Sequence, residues 1–300
     1  MTFANNWILW TLLAASMQSV RTAGQKYLTG NITPLAATMV RYLFGLPFAL
    51  GYLAVVASGR PAGLPPINAT FLLCGFAAGA LQIIATVLLV HLFTMRNFAV
   101  GSTYARTEIM MTAMLGVLLF GSDISLPGWI AILACVIGVI VVTVSRSGGV
   151  NRFWNRSAAY GLGAGLAFSL TSLLIRKASR SFGIDDSMLT AAITLCYMVS
   201  IQTLMTLGWI WLAEPEQFAK VARAWRPSLF VGITSVIGSA GWFTAMTLQF
   251  ASYVKTLGQV EFLITFAISW FYFRERPTSR ELVGMFLIMT GVVMLLVATR

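Results

Sequence analysis

Charge is what this sequence has least of. Only 10% of its 300 residues are Asp, Glu, Lys or Arg, and 58% are hydrophobic. Soluble domains carry about 25% charged residues, so an ordinary soluble domain is excluded. Acidic residues are rarer still, 9 against 20 Lys and Arg, for a net charge of +11. In a membrane protein that excess more often marks loops kept in the cytoplasm than a nucleic-acid surface, and no nucleic-acid partner is expected. Histidine occurs once, at His91, and Cys74, Cys135 and Cys196 all sit in apolar runs without metal-ligand spacing. Neither a disulfide framework nor a metal site is expected, and such buried thiols behave as small hydrophobes. There is no Gly-x4-Gly-Lys-Ser/Thr phosphate loop, which excludes ATP hydrolysis by this chain, and no His-x4-Asp motif. Asp123, Asp185 and Asp186 lie in or beside loops. No cofactor is expected. No basic residue precedes the first apolar run, which is longer than a signal peptide needs and is expected to be a first transmembrane helix.

Long apolar runs are what the chain does have. Ten segments approach the ~20 residues that a hydrocarbon core of ~30 Å requires. They fall at about 7–28, 34–57, 68–92, 98–120, 127–145, 158–179, 187–212, 227–250, 252–273 and 281–299. Breaker clusters such as Gly30-Asn31-Ile32-Thr33-Pro34 and Arg276-Pro277 punctuate them. A polar, glycine-bearing stretch at 148–156 reads as a linker between a first half, 1–147, and a second, 157–300.

The halves align without a gap at an offset of 153 residues: Gly30 meets Gly183, Gly79 meets Gly232, Thr103 meets Thr256, and Gly138-Val139 meets Gly291-Val292. Most telling, Glu108 meets Glu261 and Thr112 meets Thr265. A charged side chain at the centre of a membrane helix costs roughly 2.5–3.5 kcal/mol even on lenient scales, so a carboxylate placed there twice is a functional candidate. Five helices per half is an odd number, so the second half enters the membrane from the opposite side. The expected fold is an all-α integral membrane protein of ten transmembrane helices, arranged as two inverted five-helix repeats. Inverted repeats are the architecture of alternating-access transporters, with the site near the midplane between them. Loop charges (Arg146, Arg152, Arg156, Lys220, Arg223, Arg226, Arg274, Arg276 and Arg280 on one side) would place the termini outside.

Thr33-Pro34-Leu35-(x5)-Arg41-Tyr42 and Phe273-Arg274-Glu275-Arg276-Pro277, followed by Glu281-Leu282-Val283-Gly284, resemble the ten-helix EamA-type branch of the drug/metabolite transporter superfamily. The likeness spans essentially the whole chain through motifs that mostly concern helix packing. It departs at the ninth helix, where members often carry a proline and this chain reads Gly258-Gln259-Val260-Glu261. The resemblance implies a multi-pass protein of a bacterial inner membrane. It also implies cytoplasmic termini, opposite to the loop charges. The expected activity is secondary transport of a small organic solute such as an amino acid, amine or related metabolite, as an exporter or proton-coupled permease. A membrane-embedded enzyme and a passive channel are the alternatives. The expected partners are the solute, the lipid bilayer and protons as coupling ion; the oligomeric state is left open, a monomer being compatible with the sequence.

Glu108 and Glu261 lead the candidate site. Desolvation favours the neutral carboxyl, so either could carry a proton during transport. The competing reading is that a base neutralises each and locks the helices, with Arg21 and Arg41 as the best-placed partners, since Arg106 is only two residues from Glu108 and points away from it. Arg21 and Arg41 are also candidates themselves. Tyr104, one turn before Glu108, suits a cationic solute by cation–π attraction. Gln18, Gln82, Trp242, Gln259, Thr112 and Thr265 complete the polar inward positions. Lys255 and Arg96 are expected to snorkel to an interface. His91, near a helix end, and Tyr253 read as packing residues. Gly161, Gly163 and Gly165 are expected to let helices approach closely.

Overall fold

The computed structural model describes residues 6–58, 64–92, 105–146, 156–261 and 278–299. Every regular element among them is a helix: α1 (Trp7–Leu28), α2 (Pro34–Leu43), α3 (Leu46–Ser58), α4 (Ala69–Leu92), α5 (Glu108–Phe120), α6 (Leu126–Arg146), α7 (Arg156–Arg180), α8 (Ser187–Ala213), α9 (Gln217–Arg223), α10 (Trp225–Leu248), α11 (Ala251–Leu257) and α12 (Ser279–Ala298). Except for α9, these coincide with parts of the ten expected segments, overrunning their bounds by no more than two residues. Residues 98–104 and 262–273 of these segments, and 148–155 of the linker, lie outside the described residues. Among the described residues six spans are long and apolar enough to cross a bilayer, with α2 and α3 counted as the single span Pro34–Ser58; α5 and Leu126–Val142 are shorter apolar helices.

Local sequence explains the ends. Asn6 accepts hydrogen bonds from the N–H groups of Ile8 and Leu9 at the start of α1. Thr33 caps α2 ahead of Pro34, and Asp186 caps α8. Thr278 and Glu281 close a capping box on α12, in which each side chain bonds the other's backbone N–H. Gly121, at φ 61°, ends α5 in the left-handed conformation that glycine adopts without strain.

Two features depart from expectation. The second span is interrupted at Phe44-Gly45, where Pro47 has no N–H to offer the preceding turn. The break is packed against α10: a Cβ at Gly232 would stand 2.6 Å from the Phe44 carbonyl carbon. The short α9 lies between two of the expected segments, where no helix is expected. It braces α2, because Gln217 accepts from the Thr33 N–H and Glu214 accepts from the Thr33 hydroxyl.

Packing follows the 153-residue offset. The most extensive helix pairs are α6 with α12, α4 with α7, and α1 with α10. The offset carries α1 onto α7 and α4 onto α10, so the last two pairs exchange. It carries α6 onto α12, and there matched positions touch: Cys135 Sγ donates to the Ile288 carbonyl at 3.5 Å. Small residues permit the approach, since a Cβ at Gly138 would meet the Gly284 carbonyl at 2.6 Å. Of the expected glycine series on α7, Gly163 faces Leu88 of α4 at 3.3 Å. Outward faces carry exposed Leu118, Trp211, Leu212 and Phe286, as a lipid-facing surface requires. Hydroxyls at depth bond their own helix, as Thr203 does to the Val199 carbonyl.

Candidate functional site

Matched positions of the two halves meet around Arg41. From α2 its Nη1 donates to Thr86 Oγ1 on α4 at 3.2 Å, and its Nη2 to Ser239 Oγ on α10 at 3.4 Å. Residues 86 and 239 are separated by the repeat offset, so one guanidinium bridges equivalent hydroxyls. Beside it lies a cavity of about 30 Å³ whose lining includes the matched pair Gln18 and Thr171. A smaller void sharing Arg41 and Gln82 also takes in Ser235, the match of Gln82. Gln82 Oε1 accepts from Gln202 Nε2 at 2.8 Å, which ties α4 to α8.

The two glutamates are held in a crossed arrangement. Glu108 opens α5, where the helix dipole favours a negative charge. Lys255 Nζ on α11 lies 2.6 Å from Glu108 Oε1, a charge-to-charge contact without hydrogen-bond alignment. The same ammonium sits 4.9 Å from the centre of the Trp242 ring and 5.8 Å from that of Phe168. Glu261 Oε1 is 3.8 Å from Arg106 Nη2. Its Oε2 accepts from Gln18 Nε2 at 3.3 Å, and Gln18 Oε1 accepts from Trp242 Nε1 at 3.0 Å. Each carboxylate is therefore paired with a base from the opposite half, and Trp242 packs on Lys255 of one pair and reaches the other through Gln18.

This corrects the expected partners. Arg106, in the turn before α5, pairs with Glu261. Arg21 and Arg41 are not within ion-pair distance of either glutamate. Lys255 does not snorkel. Its side chain is 13% exposed, because a carboxylate and an aromatic face inside the bundle replace the water it would otherwise seek. Arg106, Lys255, Gln202, Thr86, Ser239 and Phe168 were missed by sequence reasoning. For Lys255 the available signal was a cation several residues inside an apolar run.

The other candidates separate. Gln18, Gln82, Arg21, Arg41 and Trp242 come together at the cavity. Thr112 donates to the Glu108 carbonyl at 2.7 Å and Gln259 to the Lys255 carbonyl at 3.0 Å, so both use their donors within their own segment. Tyr104 and Thr265 lie outside the described residues. Tyr253 accepts from the Ser125 N–H and packs on Gly128. His91 lies against the Tyr160 ring, 5.1 Å between centroids.

The model of the EamA-like transporter family matches residues 5–144 and 155–297. No curated protein matches the chain. One solved chain, described only as "Crystal structure of protein", superposes with a TM-score of 0.74 at 16% identity, covering 99% of this chain and 97% of that chain. At that identity the likeness shows the fold alone. With a family match through both halves, this multi-pass membrane protein belongs to the EamA-like transporter family.

Proposed function

We propose that the chain is a secondary transporter that moves a small organic solute across a cell membrane by alternating access, with the solute site at the cavity between the two five-helix repeats and protons as the coupling ion. The observation that carries this reading is the crossed pair of ionic contacts, Glu108 with Lys255 and Glu261 with Arg106, beside a cavity lined by matched positions. Each contact joins one half to the other. Protonating a glutamate removes its attraction for the opposing base, which loosens the halves on that side and lets them rock. Trp242 links the two events, since it packs on Lys255 and hydrogen-bonds Gln18, which in turn holds Glu261.

Glu108→Gln and Glu261→Gln variants, reconstituted in liposomes, test it. Solute-driven proton movement is expected to be lost in at least one variant while solute exchange persists. Unchanged coupling in both would sink the proton assignment.

A further inference from the structure

Arg21 on α1 and Arg41 on α2 are both buried, at 6% and 4% relative exposure, and both line the central cavity. Their surroundings are short of negative charge. Among the described residues, Arg41, Tyr42 and Glu261 act electrostatically on Arg21, and Lys255 lines the same cavity. Glu261 is already shared with Arg106 and Gln18, and Glu108 with Lys255. Among the described residues, four cations thus stand around two carboxylates. Among the described residues the hydrogen-bond partners of Arg41 are neutral, Thr86 and Ser239, and Arg21 Nε is buried with no hydrogen-bond partner. A guanidinium cannot shed its proton, and a buried charge without a counter-charge is costly. Two of them side by side form a site that an anion would complete.

The place where a cation would bind is already filled. A carboxylate beside an aromatic face suits an ammonium group, and here Glu108 and Trp242 hold the protein's own Lys255. An open depression of about 750 Å³ at the C-terminal end of α7 is lined by Arg176, Lys177 and Arg180, and no acid is among its lining residues. It shares no lining residue with the central cavity, and its basic lining raises the local concentration of anions at that surface.

We propose, building on the transporter reading above, that the solute carries an oxyanion group, carboxylate or phosphate, which seats between the guanidinium groups of Arg21 and Arg41. Planar forks of N–H donors match either group in a bidentate way. At about 30 Å³ the cavity holds little more than a water or two, so it admits the head group, and the remainder of the solute enters only as the halves part.

The test uses the purified full chain and matched probes: acetate, succinate, benzoate and phenyl phosphate, each against its amine or alcohol counterpart. Ligand-induced thermal stabilisation reads binding, and uptake into liposomes reads transport. At least one anion is expected to stabilise the parent while its counterpart does not. The stronger of benzoate and phenyl phosphate identifies the head group. Arg21→Gln and Arg41→Gln are each expected to weaken anion binding about tenfold to a hundredfold, the size of a lost charged hydrogen bond. Where a Gln variant fails to fold, Arg21→Lys and Arg41→Lys, which keep the charge but lose the fork, are expected to weaken binding by a smaller factor. Stabilisation by amines alone, by no anion, or by anions equally in parent and variants overturns the anion site. Uptake of an amine with no anion binding leaves the transporter reading standing. Anion binding without uptake of any probe leaves the site standing and removes the transporter reading.

Discussion

Along α1 and α10 the residues at the centre of the bundle are Gln18, Arg21, Ser239 and Trp242; at the matched positions of α7 and α4 stand Thr171, Leu174, Thr86 and Leu89. The two helix pairs share a backbone arrangement and differ in chemistry. On one side lie an amide, a guanidinium and an indole; on the other, hydroxyls and aliphatic groups. The close contacts reverse as well. In the first pair Gly241 of α10 lies under Trp10 of α1, where a Cβ would come within 2.7 Å of the Trp10 carbonyl oxygen. In the second the glycine is on the other helix, Gly163 of α7, and it faces Leu88 of α4. Residues 10 and 163 match, as do 241 and 88. Repetition therefore pairs the helices around a central cavity, while divergence places the Arg21 charge on one of these two walls and a leucine at its match. A solute held there meets an asymmetric site inside a symmetric frame.

The ionic side of that comparison breaks most easily at Lys255. Lys255→Ala leaves Glu108 largely buried and without its base, a change that costs about 3 kcal/mol in known buried pairs. Unfolding of the purified protein in detergent should show a loss of that order, and adding Glu108→Gln to the same chain should recover most of it. If the double variant is as unstable as the single one, Lys255 acts by packing on Trp242 rather than by charge. The apolar contact of the same wall comes next. Gly241→Ala drives a methyl group into backbone and should cost about 2 kcal/mol, measured as a lowered unfolding temperature. The loss for Arg106→Ala is smaller, about 1 kcal/mol, because its side chain is 31% exposed and Gln18 still holds Glu261. A loss as large as that of Lys255→Ala would mean that the two crossed contacts are equivalent.

How much of this was legible in sequence depends on which residues are rare at depth. A carboxylate in an apolar run has few reasons to be there, so Glu108, Glu261 and their offset could be found without coordinates. Helix starts were legible for a similar reason: Thr33-Pro34 and Thr278-x-x-Glu281 satisfy N–H groups that the helix itself leaves unpaired. The direction of a long cationic side chain was not legible. Whether Lys255 turns outward to water or inward to Glu108 depends on where a helix of the other half places its carboxylate, and no local pattern encodes that. The same holds for Arg106, whose partner is 155 residues away. The break at Phe44-Gly45 escaped notice because the apolar run continues through it, although Pro47 marked the spot.

The smallest expected effect is the sharpest check on the reversed glycine contacts. Gly163→Ala adds the same methyl group as Gly241→Ala, at the matched interface, but it meets the end of a flexible leucine side chain at 3.3 Å instead of backbone. Leu88 Cδ1 can yield by a few tenths of an ångström through a small χ rotation. Alanine also favours an interior helix position over glycine by about 1 kcal/mol. The two terms oppose each other, so the unfolding temperature should move little in either direction, while Gly241→Ala lowers it clearly. If both variants were equally destabilised, the α4–α7 contact would be as rigid as α1–α10, and the difference between the two walls would lie in their polar side chains alone.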